Sequence, residues 1–153
     1  GNITLDGKLF LIENTFSLGQ VDGYLAMKVK ITNVSGFSSS NVRLWVGTRD
    51  DYVGTDDGPL EERGNLVNGA FQLIANSADQ AKAIKISTAN EAVLFFSDSD
   101  RAYTTINSCC NFTNSTNQNP ATNVISQLGD GSYAMFVRFN DLAPGESDEL
   151  EWY

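Results

Sequence analysis

The sequence predicts an all-β domain, a two-sheet antiparallel β-sandwich with long functional loops and at most one short helix. Three observations support this prediction. Apolar and polar residues alternate in short runs, turn residues separate the runs, and the chain lacks both heptads and a regular alternation of strands with helices. About eight short strands with turns between them are typical of two packed antiparallel sheets.

The alternating runs follow one another along the chain. The clearest run covers residues 24–32 and breaks at residues 33–36, and residues 41–47 repeat the pattern. The other candidate strands are residues 9–12, 15–18, 69–74, 83–87, 92–97, 132–139 and 147–153. Turn residues lie at Gly36 and at residues 57–59, 68–69, 129–131 and 144–145. Residues 76–82 are the candidate helix, with Asn76 or Ser77 as its cap.

Two distant segments predict one particular strand pairing. Residues 29–33 end in Thr-Asn, and residues 141–147 contain a Leu-Ala-Pro-Gly turn. The combination resembles bacterial immunoglobulin-like domains, in which a strand ending in Thr-Asn is followed much later by such a turn into the last strands. The resemblance favours an immunoglobulin-like sandwich and says little about function.

Length and composition predict a single domain over residues 1–153, of which 41% are hydrophobic. No run of 18 apolar residues exists, so we expect no segment to insert in a membrane. The chain begins at Gly1 without a start methionine or a basic-then-apolar leader. We therefore expect a domain excised from a larger multidomain surface protein.

The composition disfavours two broad classes of function. A formal net charge of −9 repels phosphate backbones, so we expect no nucleic-acid partner. Histidine is absent, which removes Ser-His-Asp and Cys-His chemistry, and we expect no enzyme. A glycosidase with two carboxylates is the remaining catalytic alternative, but no carboxylate in the sequence is marked as buried in apolar surroundings.

The two cysteines are neighbours, Cys109 and Cys110. They cannot connect distant strands, so they either form a ring with each other or remain two buried thiols. The ring is favoured for an extracellular protein, and it would make a rigid apolar loop tip that suits a contact surface.

Acidic residues concentrate in two predicted loops, residues 48–66 and 98–127. Six carboxylates fall within the thirteen positions 50–62, and Asp98-Ser99-Asp100 opens the second loop. Loops at one end of a sandwich meet in space, and calcium prefers six to eight oxygen ligands, so we predict a calcium site. Its candidate ligands are Asp98 and Asp100 first, then Asp50, Asp51, Asp56 and Asp57. The alternative is a solvated acidic surface with Arg49, Arg63 and Arg101 as partners.

Residues 103–123 form an almost uncharged stretch rich in amides and hydroxyls, with Tyr103, Phe112 and the two cysteines as apolar anchors. This mixture is typical of recognition loops. A flexible linker is the alternative, but the embedded aromatic residues and cysteines disfavour it.

Several unusual segments resemble the peptide-binding domain of giant RTX adhesins, which are calcium-dependent bacterial surface proteins. The segments are residues 47–52, 63–66, 95–103, 108–110 and 119–122. The resemblance implies an extracellular module, monomeric within a long adhesin, that uses calcium to bind the free C-terminal end of a peptide during cell adhesion and biofilm formation. The residues expected to contact that peptide are Tyr103, Cys109, Cys110, Arg63, Gly64, Asn65 and Asn111.

Two alternatives without catalysis stay open. A calcium-dependent carbohydrate-binding module would need exposed aromatic residues, for which Trp45 and Trp152 are candidates although both lie in predicted strands. A non-binding immunoglobulin-like spacer of an adhesin would have no need of two long, compositionally distinct loops.

Overall fold

The computed structural model describes residues 1–19, 23–110 and 124–153. Within them the chain is all-β, which confirms the predicted class, and the candidate helix at residues 76–82 is a turn in which the Asp79 amide donates to the Asn76 carbonyl. The strands are β1 (Asn2–Leu5), β2 (Lys8–Leu18), β3 (Leu25–Asn33), β4 (Arg43–Thr48), β5 (Leu60–Val67), β6 (Ala70–Leu73), β7 (Ala83–Ser87), β8 (Ala92–Phe96), β9 (Ala102–Ser108), β10 (Ser126–Leu128), β11 (Gly131–Arg138) and β12 (Ser147–Trp152).

The described strands form three sheets, with the orders β1-β2-β3-β12, β10-β5-β7-β8 and β4-β11-β9, and β6 pairs with β5. The pairs β1–β2, β2–β3, β3–β12, β5–β7, β7–β8 and β9–β11 are antiparallel, as a β-sandwich requires. No helix in the described part of the chain is long and apolar enough to cross a membrane.

The predicted loops are shorter than expected because they contain strands. β5 occupies the end of the predicted loop 48–66, and β9 and β10 occupy parts of the predicted loop 98–127. The alternation of apolar and polar residues does not predict β5, because two of its inward-facing residues are charged. These are Glu61 and Arg63, both fully buried. At its N-terminal end the chain forms one long strand, β2, where the sequence predicts two short ones.

The chain divides into two compact units, one made of Gly1–Leu44 with Arg138–Tyr153 and the other of Trp45–Val137. We call them the first and the second unit. The single domain over residues 1–153 stays a prediction.

The first unit brings together the two segments that predicted a strand pairing. β12 pairs with β3, and the Gly145 amide donates to the Asn33 carbonyl at 2.7 Å. Asn33 is fully buried, and its side chain donates to the carbonyls of Phe37 and Leu142 at 2.8 and 2.9 Å. Trp152 is buried in this unit, as its position in a predicted strand indicated.

The second unit has its apolar centre on β7, where Ile84 and Ile86 pack with Val53, Phe95 and Tyr133. The β9–β11 pair ends with Gly131 opposite Ser108. This register places the turn before β11 beside the residues that follow β9, and the Cys109 amide donates to the Asp130 carbonyl at 3.3 Å.

Candidate metal centre

Three exposed carboxylates meet in the second unit: Asp50, Asp57 and Asp130. One oxygen from each lies within 4.8 Å of the others. Asp50 follows β4, Asp57 lies in the loop that leads to β5, and Asp130 lies in the turn between β10 and β11. We call these residues the acidic trio. Charged carboxylates at such separations repel each other, and a hard cation with oxygen ligands relieves that repulsion.

Hydrogen bonds hold the loop that carries Asp50 and Asp57, the first two members of the trio. The Thr48 hydroxyl donates to the Asp50 carbonyl at 2.6 Å. Val53 and Asp56 exchange backbone hydrogen bonds of 3.2 and 3.1 Å across Gly54, whose φ of 63° suits a residue without a side chain. The Gly129 amide donates to the Pro59 carbonyl at 3.3 Å and so connects this loop to the turn of Asp130.

Two further acids, Asp51 and Glu61, lie close to the trio and are fully buried. Asp51 Oδ1 accepts a hydrogen bond of 2.8 Å from the Gly131 amide, whereas its Oδ2 has no hydrogen-bond partner in the part of the chain that the structure describes. The same holds for both carboxylate oxygens of Glu61. Glu61 packs against Gly131, where an added Cβ would lie 2.5 Å from Oε2, so this position requires glycine or a displacement of the acid.

Burial and mutual repulsion shift the protonation of these acids. Burial, followed by the charges of Asp51 and Asp130, raises the pKa of Glu61 to about 9. Burial also raises the pKa of Asp51 despite the hydrogen bond from Gly131, and it raises the pKa of Asp130 with help from Asp57 and Asp50. At neutral pH the centre therefore favours uptake of positive charge, either protons or a metal cation.

Two tyrosines respond to the same negative field. Burial, then the charges of Asp51 and Glu61, raises the pKa of Tyr133 to about 12. A hydrogen bond to Asp57 and the charge of that group raise the pKa of Tyr52, whose side chain is exposed. Each tyrosine therefore keeps a neutral hydroxyl oxygen beside the acids.

In the cation-free protein, we expect Glu61 to make the free energy of unfolding depend on pH. Its pKa rises from 4.5 to about 9 on folding, so between these values the folded state holds a proton that the unfolded chain releases. The contribution of this proton to the free energy of unfolding is fully present below pH 4.5, the pKa in the unfolded chain. It is lost as the pH rises through about 9, the pKa in the folded protein. In EDTA the Glu61→Gln variant should therefore gain in melting temperature relative to the wild type between about pH 5 and about pH 8. A constant difference across that range would contradict the shift.

Cys109 and Cys110 form a disulfide, which selects the ring of the two predicted alternatives. Their sulfur atoms and an Asp130 oxygen lie within 4.8 Å of one another, so Asp130 belongs both to the acidic trio and to the surroundings of the ring. The Arg49 guanidinium donates from Nε and Nη2 to the Cys110 carbonyl at 3.3 and 3.0 Å. Disulfide sulfurs carry no thiolate charge, so they offer a contact surface here and not metal ligands.

The structure brings together some predicted calcium ligands and leaves others apart. Asp50 and Asp57 join the trio, and Asp51 lies buried beside it. Asp56 accepts a hydrogen bond of 3.0 Å from the Gly58 amide. Asp98 and Asp100 join no metal-compatible group among the described residues. Asp100 instead forms an ion pair of 3.1 Å with Lys82, and its side chain is 94% exposed.

Most of the predicted peptide-contacting residues make structural contacts. Arg63 is buried and donates to the Val124 carbonyl at 3.1 Å. Gly64 packs against the Phe71 ring, and the Asn65 amide donates to the Gln80 carbonyl at 2.9 Å.

Two more of these predictions concern Tyr103 and Asn111, in the amide-rich stretch of residues 103–123. Tyr103 stacks on Phe136 with ring centroids 5.6 Å apart. It lies six residues before Cys109 along β9, about 20 Å away in an extended strand, and its contact with a peptide stays a prediction. Asn111 lies outside the described residues.

Sequence reasoning missed Asp130 and Glu61. The sequence indicates Asp130 only as the middle residue of a Gly-Asp-Gly turn. Its carboxylate, in a turn next to a predicted acidic loop, could have marked it as a candidate ligand. Glu61 was counted among the acids of a loop, because nothing in the sequence marks its side chain as facing inward from β5.

Comparisons of this chain with protein-family models, with curated proteins and with solved structures find no match. These comparisons assign the chain to no family, and its kinship with RTX adhesins remains a proposal.

Proposed function

We propose that this chain is a calcium-dependent adhesin module that binds the free C-terminal end of a peptide on a host or neighbouring cell. One observation supports the proposal above the others: Asp130 belongs both to the acidic trio with Asp50 and Asp57 and to the surroundings of the Cys109–Cys110 disulfide. A candidate cation site and a rigid apolar surface are thus adjacent. A peptide terminus presents the same two features, a carboxylate and the side chains beside it.

The residues present fit calcium. The trio offers only carboxylate oxygens, which are the ligands that calcium prefers over softer donors, and exposure leaves room for a further ligand. A bound calcium ion with an open coordination position supplies the positive charge that a peptide carboxylate needs in this acidic setting. Without a cation, the trio repels a carboxylate.

The chain's own residues would position the peptide. The disulfide provides a wall that cannot rearrange freely, and Arg49 holds the Cys110 carbonyl through its guanidinium. Ser132 donates to the Arg49 carbonyl at 3.0 Å and so secures the other end of this contact. A wall held in advance lowers the entropy lost on binding.

A disulfide also supports an extracellular location, because thiols stay reduced in the cytosol and disulfides persist outside it. We place the domain on a bacterial surface, as a monomeric module within a longer adhesin, following the resemblance to RTX adhesins.

Calorimetric titration with short peptides tests the proposal. Each peptide is used with a free and with an amidated C-terminus, in calcium and in EDTA. We expect binding only when the carboxylate is free and calcium is present. Equal binding of the amidated peptides, or binding in EDTA, would refute terminus capture.

Removing the disulfide separates the two halves of the proposed site. The Cys109→Ser, Cys110→Ser double variant is expected to retain calcium binding, because the trio is intact, and to lose at least about tenfold in peptide affinity, because the wall is no longer rigid. Calorimetry with calcium and then with peptide measures both. Unchanged peptide affinity would remove the disulfide from the site.

A calcium-dependent carbohydrate-binding module is the second candidate, and one aromatic residue favours it. Tyr52 is 56% exposed and lies beside Asp57, where its ring is available for stacking on a sugar. Trp152, one of the two aromatic residues that the sequence suggested, is buried. Glycan-array binding that disappears in Tyr52→Ala, with no dependence on peptide termini, would favour this candidate.

A further inference from the structure

Buried oxygen atoms without partners mark a second location beside the acidic trio. Among the described residues, Asp51 Oδ2 and both oxygens of Glu61 have no hydrogen-bond partner, and both side chains are fully buried. Buried polar atoms are nearly always satisfied, and each exception calls for an explanation such as a bound ion. Three such oxygens on two neighbouring acids form a cluster that the described protein groups leave unsatisfied.

The nearest basic side chain on the neighbouring strand is engaged elsewhere. Lys85 on β7 lies opposite Glu62 in the strand register and forms an ion pair with it. Glu61 is next to Glu62 on β5 and faces the opposite side of the sheet. The outward acid, Glu62, thus has a lysine partner, whereas the inward acid, Glu61, has no ion pair with any described residue.

Protonation alone is a poor solution for this pair. One proton on Glu61, even if donated to Asp51 Oδ2, leaves one of the three oxygens unpaired and one negative charge buried, and both cost free energy. Burial, and after it the charge of Asp51, raises the cost of ionising Glu61. One cation between them would neutralise both acids and satisfy the unpaired oxygens together.

We infer that Asp51 and Glu61 hold an inner divalent cation, calcium, separate from the cation of the acidic trio. Tyr133 adds a neutral hydroxyl to the same surroundings, because its pKa responds to both acids. All these donors are hard oxygens, which suit calcium and not a transition metal that seeks sulfur or imidazole.

Gly131 contacts both Asp51 and Glu61 and so holds the two acids near each other. Its amide donates to Asp51 Oδ1 at 2.8 Å, and its lack of a side chain leaves room for Glu61, whose Oε2 would lie 2.5 Å from an added Cβ. Gly131 also follows Asp130 of the trio directly. An inner cation would join β5, the loop after β4 and the turn before β11, and so fix the backbone on which the outer trio depends.

The inference does not rest on peptide binding, since it concerns two side chains that are closed to solvent. It requires only that the folded chain binds calcium at two chemically distinct places, one exposed and one buried.

Calcium stoichiometry tests it. The full chain is stripped with EDTA and titrated with calcium by calorimetry and native mass spectrometry, as wild type, Glu61→Gln and Asp57→Asn. We expect two calcium ions on the wild type, with Asp57→Asn impairing one site and Glu61→Gln impairing the other by at least about tenfold in affinity. Melting in EDTA shows that the variants fold, and Glu61→Gln should melt above the wild type there.

The calcium stoichiometry and the affinities of the variants either uphold or overturn the inner cation site. Wild-type stoichiometry and affinity in Glu61→Gln would overturn the inner site, as would a wild type that binds a single ion lost only in Asp57→Asn. A calcium site that responds to Glu61→Gln in a protein that binds no peptide would uphold the inner cation while the proposed function fails.

Discussion

Replacing Asp130 by asparagine is expected to weaken calcium binding at the acidic trio by at least about tenfold and to abolish peptide binding at moderate calcium concentrations. Asp130 belongs both to the trio and to the group that includes the two disulfide sulfurs. The substitution removes a charge but conserves size, and the backbone bond from the Cys109 amide to the Asp130 carbonyl remains. Calorimetry with calcium, followed by peptide, measures both losses.

Asp100→Asn is the matched control for this experiment. Asp100 was a first-choice calcium ligand on sequence grounds, yet it pairs with Lys82 at the surface and joins no metal-compatible group among the described residues. It should leave both affinities unchanged. The assignment of the trio fails if Asp100→Asn impairs calcium binding and Asp130→Asn does not.

Asn33→Ala is expected to destabilise the protein by about 3 kcal/mol, because it removes four hydrogen bonds made by one fully buried side chain. The Asn33 side chain donates to the Phe37 and Leu142 carbonyls, and its Oδ1 accepts bonds from the amide and hydroxyl of Ser35. These bonds join the end of β3 to the turn before β12. Urea unfolding followed by tryptophan fluorescence measures the loss.

Ser35→Ala provides the comparison for Asn33. It removes the hydroxyl that donates to Asn33 Oδ1 at 2.7 Å but preserves both bonds from the Asn33 amide to carbonyls. We expect a loss of about 1 kcal/mol. Equal urea midpoints for the two variants would show that the Asn33 amide contributes little.

The all-β class was predictable because alternation and turn residues are local signals, whereas the pairing of β3 with β12 followed from the resemblance to bacterial immunoglobulin-like domains. Alternation defines the strand that ends at Asn33, and the Pro-Gly turn near residue 144 begins the return. β5 was not predictable in the same way. Its inward positions are occupied by Glu61 and Arg63, and only tertiary packing makes those positions buried.

The sequence predicted the chemistry of the candidate site but only some of the residues that form it. Clustered acids indicated a cation, and Asp50 and Asp57 do meet. Asp98 and Asp100 do not join them, because the segment after β8 turns toward Lys82. Asp130 joins the trio from a turn that is distant in sequence. The pairing of β9 with β11 places that turn, and no local sequence pattern predicts this pairing.

A crystal structure of the calcium-loaded domain with a bound peptide, analysed for anomalous scattering from calcium, tests the central proposal most directly. We expect an anomalous peak coordinated by Asp50, Asp57 and Asp130, with the peptide's terminal carboxylate on the same ion and its last side chain against the Cys109–Cys110 disulfide. A trio that binds only water while calcium and peptide bind elsewhere would contradict it.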